Sequence, residues 1–310
     1  MGGWVILYII NILMAYIDKY GVEFTDDRKT LVRCPQNFVS EYIVPDGVTS
    51  IGDGAFSECV DLGSIVIPNG VWTIGNWAFG GCTNLSSIDL PNSISHIGIG
   101  AFFECKHLSF MVIPSRVGQI NTMVFSGCEN LISINIPNSV THIDFSAFSG
   151  CRNLTTIIIP KTVRCIETGF YGDFSSINVE FGNAHYCSID GVLYNKDITT
   201  LIRYPSKKQG EYVIPDSVTS IGDWAFCDCT NLKTIVIPNS VTNIGGGAFQ
   251  GCTSLNSIVI PDSVISIGDS AFCDCISLTS INIPNSVKSI GDGVFEGCEN
   301  LRERHVSTGL

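Results

Sequence analysis

Apolar and polar positions recur at a fixed spacing along most of the chain. The spacing is marked by two runs of prolines whose numbers rise in steps of 23: Pro45, Pro68, Pro91, Pro114, Pro137 and Pro160, then Pro215, Pro238, Pro261 and Pro284. A fixed period of this length is typical of a solenoid, in which each repeat buries its apolar side by stacking on its neighbours. The pattern therefore predicts six stacked coils before a break and four after it.

Three apolar places recur inside the repeat when residues are counted from its proline. Place 3 holds Val or Ile, place 6 holds Ile, and place 11 holds Phe or, in the sixth repeat, Tyr171. Each place is expected to stack on the same place of the next coil. The three places should therefore form continuous ladders in the core.

The end of the repeat reads L-x-x-I-x-I, as in Leu85, Ile88 and Leu90. This alternation predicts a short strand with two inward apolar residues. The proline that follows has no N–H and ends the strand. A second extended piece with the pattern V-T-S-I-G comes next, and a tight turn through A-F-x-G-C closes the coil. Repetition of this unit predicts parallel sheets.

The repeats share the pattern I-P-x-S-V-T-x-I-G-x-x-A-F-x-G-C-x-x-L-x-x-I-x-I, which resembles the BspA-type leucine-rich repeat. Proteins of this family are surface and secreted proteins of anaerobic bacteria and mucosal protist parasites. The resemblance spans ten repeats. It implies a right-handed, curved, mainly β solenoid with a parallel concave sheet, and a role in adhesion or protein recognition. The family has no shared catalytic residues to carry over.

The repeat is interrupted between Pro160 and Pro215, whose separation is not a multiple of the regular spacing. The extra segment contains Gly191 to Pro205, a phrase that also occurs near the start of the chain, from Gly21 to Pro35. Both phrases alternate apolar and polar residues around a polar tetrad, as a β-hairpin does. The predicted organisation is an apolar segment at 1–20, a hairpin cap at 21–44, six coils at 45–179, a hairpin insertion at 180–214 and four coils at 215–310.

The net charge of the chain excludes two classes of partner. The net charge is −12, which argues against nucleic acid or an anionic membrane as a partner because each requires a basic face.

The apolar run from Trp4 to Ile17 is too short to span a bilayer. A signal peptide, a degenerate strand and a misplaced start codon remain open for it. Polar residues follow Leu301 where a strand is due, so either the last coil is a degenerate cap or the gene model is truncated.

Residues with catalytic or metal-binding chemistry fall on structural places of the repeat. Nine of the 14 cysteines occupy place 14, which favours a buried stripe of reduced thiols. The pairs Cys227/Cys229 and Cys273/Cys275 each form C-x-C, a weak zinc signal, and the pairs lie two coils apart. His96 and His142 also lie two coils apart. No Ser/His/Asp or Cys/His set can be singled out. We expect no metal, no cofactor and no enzymatic activity.

The outward side of the parallel sheet is the candidate ligand surface. Place 19 carries mostly Ser or Thr, with one Phe, whereas place 21 carries mostly Val or Ile. An exposed aliphatic stripe of this kind either marks a protein contact or reflects strand propensity alone. The candidate residues are Asp89, Phe110, Val112, Asn135, Ile158, Val236, Val259 and Asn282. Phe110, Met111 and Val112 are the expected hot spot, because one large aromatic stands among small hydroxyl residues.

These observations favour a secreted or surface-displayed module that binds a host or neighbouring-cell protein. A glycan-binding repeat protein is the alternative, and it would require exposed aromatic platforms flanked by carboxylates. The tryptophans within the repeats, Trp72, Trp77 and Trp224, are expected to lie at unlike places and to form no regular platform. An enzyme is the third class, and no sequence feature supports it.

Overall fold

The computed structural model describes residues 16–306 except 37 and 39. Residues 1–15, which carry most of the apolar N-terminal run, lie outside this description. All regular secondary structure among the described residues is β-strand. None of these residues belongs to a helix with the length and apolar character needed to cross a membrane.

The strands are short because each coil must fit two extended segments and the turns that join them between successive prolines. The first fifteen are β1 (Tyr16–Ile17), β2 (Glu23–Phe24), β3 (Thr30–Arg33), β4 (Ser40–Ile43), β5 (Ser50–Ile51), β6 (Leu62–Val66), β7 (Thr73–Ile74), β8 (His96–Ile97), β9 (Phe110–Val112), β10 (Gln119–Ile120), β11 (Ser133–Asn135), β12 (His142–Ile143), β13 (Thr156–Ile159), β14 (Cys165–Ile166) and β15 (Ser176–Val179). The remainder are β16 (Tyr186–Ile189), β17 (Val192–Asn195), β18 (Thr200–Arg203), β19 (Gly210–Val213), β20 (Ser220–Ile221), β21 (Leu232–Val236), β22 (Asn243–Ile244), β23 (Ser257–Val259), β24 (Ser266–Ile267), β25 (Ser280–Ile283), β26 (Ser289–Ile290) and β27 (Glu303–Val306).

The chain divides into two compact units. Unit 1 comprises Met1–Leu154 and Cys165–Tyr171, and unit 2 comprises Thr155–Arg164 and Gly172–Leu310. The first change of unit, after Leu154, falls near the end of the repeat of Pro137, and the two later changes fall inside the repeat of Pro160. The sequence pattern instead predicts boundaries at residues 179 and 214. The sequence-based division into caps and coil blocks stays a prediction.

Unit 1 pairs equal places of successive coils in parallel. The strands that end just before the place 7 residue, usually Gly, form the I-G sheet, with Leu31 opposite Ile51, Ile51 opposite Ile74 and Ile74 opposite Ile97. A second group of I-G strands pairs Ile120 with Ile143 and Ile143 with Ile166. The strands that end near the repeat proline, here called the I-P strands, pair as β4 with β6 and β9 with β11.

Unit 2 repeats the arrangement. Its I-G strands are β20, β22, β24 and β26, and they pair in parallel with Ile221, Ile244, Ile267 and Ile290 in register. Its I-P strands pair as β13 with β15, β19 with β21, β23 with β25, and β25 with β27. The predicted mainly β solenoid with parallel strands is confirmed in both units.

The duplicated phrases form the same structure in the two units. β1, β2 and β3 pair antiparallel, as do β16, β17 and β18. Each set has one register shift, and the two shifts fall at equivalent pairs: Glu23 with Arg33 and Phe24 with Leu31, then Leu193 with Arg203 and Tyr194 with Leu201. The last strand of each set then pairs in parallel with an I-G strand. Each antiparallel ribbon therefore continues directly into the coils.

The aromatic ladder forms the centre of the core. In unit 2 the rings of Phe226, Phe249 and Phe272 stack with centroids 4.9 and 5.2 Å apart and nearly parallel planes. In unit 1 the sixth rung differs from the sequence prediction. Phe170, not Tyr171, is buried and lies edge-on to Phe148, because the coil is shortened at this point. Tyr171 instead contacts Phe145, which is partly exposed.

Candidate binding surface

The outward side chains of the I-P strands form an exposed surface on each unit, which we call the I-P face. Its origin is the two-residue alternation of a β-strand. On β9, Phe110 is 55% and Val112 62% exposed, whereas Met111 and the residue after the strand, Ile113, are buried. Strand alternation therefore removes Met111 from the predicted hot spot. The same alternation operates on each I-P strand that carries the L-x-x-I-x-I pattern.

All eight predicted ligand residues are exposed, and the two units divide them equally. Unit 1 carries Asp89, Phe110, Val112 and Asn135. Within it, Val112 lies opposite Asn135, and Asp89 bridges to Val66. Unit 2 carries Ile158, Val236, Val259 and Asn282, and pairs Val259 with Asn282. Each unit therefore has its own aliphatic stripe.

Two residues of the stripe were missed by the sequence analysis. Ile43 is 71% exposed and lies opposite Val66, while Val213 is 65% exposed and lies opposite Val236. Both precede a repeat proline by two residues, as every place 21 residue does. Both lie before the first proline of their run, Pro45 or Pro215, and so fall outside the repeats that those prolines mark.

The place 14 cysteines are hydrogen-bond donors inside the coils. Seven of them donate from Sγ to the carbonyl oxygen of the aromatic residue in the preceding coil, at 3.0–3.2 Å: Cys82, Cys105, Cys128, Cys151, Cys252, Cys275 and Cys298. All fourteen cysteines lie within the described residues, and none of them is in a disulfide bond. The thiol stripe therefore satisfies buried carbonyl groups of the turn.

Burial also makes most of the buried thiols unreactive. It raises the pKa of Cys105, Cys128 and Cys252 well above the ordinary value of 9.0. It raises the pKa of Cys227 and Cys229 to about 12, although the nearby Arg203 guanidinium opposes the shift. Only the thiolate is a nucleophile or a metal ligand, so neutral pH leaves these cysteines inert.

Iodoacetamide is therefore expected to label few place 14 cysteines in the native protein at pH 8. Half-buried Cys165 and Cys187 should react first and serve as the internal control. Protein denatured without reductant should be labelled at most of its cysteines, counted by mass spectrometry. Mass shifts that showed four disulfides within the stripe would contradict this expectation and would place folding in an oxidising compartment.

Other candidate groups do not converge on a metal or catalytic centre. His96 is exposed, and His142 Nδ1 lies 2.8 Å from the neighbouring Thr141 hydroxyl. The Cys227 and Cys273 thiols each lie 3.5 Å from the carboxylate of the next residue. Among the described residues, no three His, Cys, Asp or Glu side chains come together as a metal site would require.

The tryptophans correct one expectation. Trp77 and Trp224 both occupy place 9 of their coils, with left-handed backbone at φ 55° and 59°, so they are not at unlike places. Each ring lies against the place 9 glycine of the next coil, and a Cβ on Gly100 or Gly247 would overlap it. Trp72 lies elsewhere in the coil. The structure thus has one fixed tryptophan at the same place in each unit.

Comparisons with known proteins give a consistent result. Residues 49–178, 100–209 and 204–310 match the BspA type Leucine rich repeat region (6 copies). A leucine rich cell surface protein of Faecalibacterium prausnitzii has 31% identity and a TM-score of 0.74, with 96% of this chain and 95% of that chain covered. Among curated proteins, the comparison gives no match.

Two further crystal structures resemble the chain. A leucine-rich repeat protein of Eubacterium ventriosum has 28% identity and a TM-score of 0.63, covering 91% of this chain and 75% of that one. The pneumococcal vaccine antigen PcpA has 22% identity and a TM-score of 0.79, covering 94% and 80%, and shows the shared fold. The repeat pattern, the parallel coils and these matches lead to one conclusion: the chain belongs to the BspA-type leucine-rich repeat family.

Proposed function

We propose that this chain is a non-enzymatic binding module, secreted or displayed at a cell surface, and that its I-P face binds a protein ligand. The observation that supports this proposal is the exposed aliphatic side chain that recurs at place 21 within each unit, with Ile43 opposite Val66 in unit 1 and Val213 opposite Val236 in unit 2. Val112, Ile158, Val236 and Val259 are 55–76% exposed. Contiguous apolar surface of this kind characterises protein contact sites.

Strand propensity alone does not account for the stripe. Thr satisfies the preference of a strand for β-branched residues about as well as Val does. Ser and Thr dominate at place 19, whereas Val and Ile dominate at place 21, although both places point outward. A purely structural requirement would not separate two outward places in this way. The aliphatic choice at place 21 therefore favours a ligand contact.

The surroundings of the stripe suit a ligand that is apolar at its centre. Small hydroxyl side chains such as Ser64 and Ser257 flank the aliphatic residues and allow a partner to approach the sheet closely. Phe110 rises among them and is 55% exposed. Large aromatic residues surrounded by small ones are typical hot spots of protein interfaces. The location at a cell surface is supported by the description of the Faecalibacterium relative as a cell surface protein.

Substituting the stripe should abolish capture of a ligand without unfolding the protein. We expect Phe110→Ala and Val112→Glu each to weaken binding by about 2 kcal/mol or more, roughly 30-fold. Both side chains project outward from the sheet, where they would contact the ligand. The measurement is capture of proteins from a mucosal extract, identified by mass spectrometry and then titrated individually. Thermal melts should stay within about 1 °C of the wild type.

A matched variant distinguishes the effect of losing the place 21 side chain from the effect of adding a negative charge to the face. Ser133→Glu places the same charge at place 19 of the neighbouring strand and should reduce binding less than Val112→Glu. Capture that survived glutamate at both Val112 and Val259 would place the ligand on the turns or on the antiparallel ribbons, and the proposal would be wrong.

A further inference from the structure

A polar groove lies along the I-G strands of unit 2, outside the I-P face. Its volume is about 480 Å³, within the range of small-molecule sites. The floor is the row of outward place 5 side chains on three successive I-G strands. The wall comes from the turn after each strand. The groups that define it are Asn243, Ser266 and Ser289 on the floor, and Asp223, Trp224 and Asp269 on the wall.

The Trp224 ring is held in a fixed position. Its backbone N–H donates to the carbonyl of Gly246 at 2.8 Å, and its own carbonyl accepts from the buried Arg203 guanidinium at 2.5 Å. The ring lies against Gly247, where any side chain would overlap it. A flat apolar surface is therefore fixed at the wall before any ligand arrives, so little conformational entropy is lost on binding.

The polar groups of the groove are also oriented in advance. One oxygen of Asp223 accepts the Gly246 N–H at 2.8 Å, and one oxygen of Asp269 accepts the Asp292 N–H at 2.8 Å. Each carboxylate has a second oxygen that can accept a hydrogen bond from a ligand. On the floor, the Ser266 hydroxyl donates to the Asn243 amide oxygen at 2.5 Å. A ligand of this groove must bring several donors to meet carboxylate oxygens.

We propose that this groove binds a neutral hexopyranose unit of a glycan. The C–H face of a pyranose ring can lie on the tryptophan, while neighbouring hydroxyl groups donate to the two carboxylates and exchange hydrogen bonds with Asn243 and the serines. The carboxylates and the net charge of −12 disfavour sialylated or sulfated sugars. This site is independent of the protein ligand proposed for the I-P face.

Unit 1 provides an internal comparison. Trp77 occupies the same place as Trp224 and lies in the same way against a glycine of the next coil. However, Asn76 and Thr122 stand at the places of Asp223 and Asp269. Ile99, which is 42% exposed, stands at the place of Gly246. Unit 1 therefore has the aromatic surface without the carboxylates, and an isoleucine side chain where unit 2 is open.

The decisive variant copies this difference. Gly246→Ile introduces the side chain of Ile99 into unit 2. A Cβ at Gly246 would have its nearest neighbour 3.5 Å away, and its φ is not left-handed, so the fold should tolerate the change. Asp223→Asn and Asp269→Asn keep the structural acceptor oxygen and remove the negative charge. Trp77→Ala is the control in unit 1.

The experiment is saturation-transfer NMR of the full chain with the methyl glycosides of glucose, galactose and mannose. At least one of them should bind with Kd on the order of 1–10 mM, as expected for a single sugar in a shallow site. Gly246→Ile should remove the signal, and each Asp→Asn variant should weaken binding about tenfold or more. Sialic acid should give no signal, and Trp77→Ala should bind as the wild type does.

Three results would overturn the proposal. The first is the absence of a signal from all three glycosides at about ten times that Kd. The second is a signal that persists in the folded Gly246→Ile protein and in both Asp→Asn variants, and the third is a signal that chelation of divalent cations removes. Because Phe110→Ala and Val112→Glu change another surface, they should leave sugar binding intact. Failure of the glycan site and failure of the protein site can therefore be distinguished.

Discussion

Replacing Phe249 by alanine is expected to lower the free energy of unfolding by about 3–5 kcal/mol. Phe249 is fully buried, and its ring stacks on Phe226 at 4.9 Å and on Phe272 at 5.2 Å between centroids. Removing the ring leaves a cavity and takes a partner from both neighbours. In a solenoid each coil is stabilised mainly by the two coils beside it, so one substitution weakens two interfaces.

Urea unfolding of the full chain measures this effect, with the transition of unit 2 as the readout. Phe181→Ala is the matched control because Phe181 is fully exposed, and its stability should change by less than about 0.5 kcal/mol. Phe249→Leu should fall between the two, since it keeps most of the apolar volume and loses the ring stacking. If Phe249→Ala unfolded like the wild type, the stacked core described above would be wrong.

The second large effect is expected for Gly268→Ala, at place 7 in the I-G motif. A Cβ there would lie 2.5 Å from the backbone nitrogen of Gly246 and 2.7 Å from the carbonyl carbon of Gly245. Neither is the end of a flexible side chain, so the two coils would have to move apart. Overpacking of this kind costs about 1–3 kcal/mol, and more where only backbone can yield.

Gly63→Ala provides the control for Gly268→Ala. A Cβ at Gly63 would meet nothing within 4 Å, and its φ is not left-handed. Its stability should stay the same or rise slightly, because alanine reduces the entropy of the unfolded chain. Equal urea midpoints for the two variants would show that the coils are not in the close backbone contact described here.

The sequence could not have identified the importance of this glycine. Three repeats carry Asn121, Asp144 and Glu167 at the same place, so the pattern alone reads place 7 as variable. The Asn121 side chain donates to the carbonyl of Ile97, which shows one way in which a coil accommodates a larger residue there. Glycine is required only where two particular backbones approach each other.

Several other features depended on packing and were not predictable. The sixth aromatic rung is Phe170 because the shortened coil moves the neighbouring Tyr171 out of the core. The Trp224 groove combines residues of four coils that are ordinary turn and strand residues in the sequence. Its opening depends on Gly246, which has no property in the sequence that distinguishes it from other turn glycines.

The sequence by itself determined the parallel β-solenoid, the family, the apolar ladders and the outward direction of the candidate residues from Asp89 to Asn282. Its constant period sets equal places opposite one another, and strand alternation then decides which side chains are buried. Only the tertiary structure decided how the chain divides into units, which aromatic completes the core of unit 1, and where a groove opens. These features arise from distances between coils, and a repeating pattern specifies the neighbours of a residue without specifying how closely they approach.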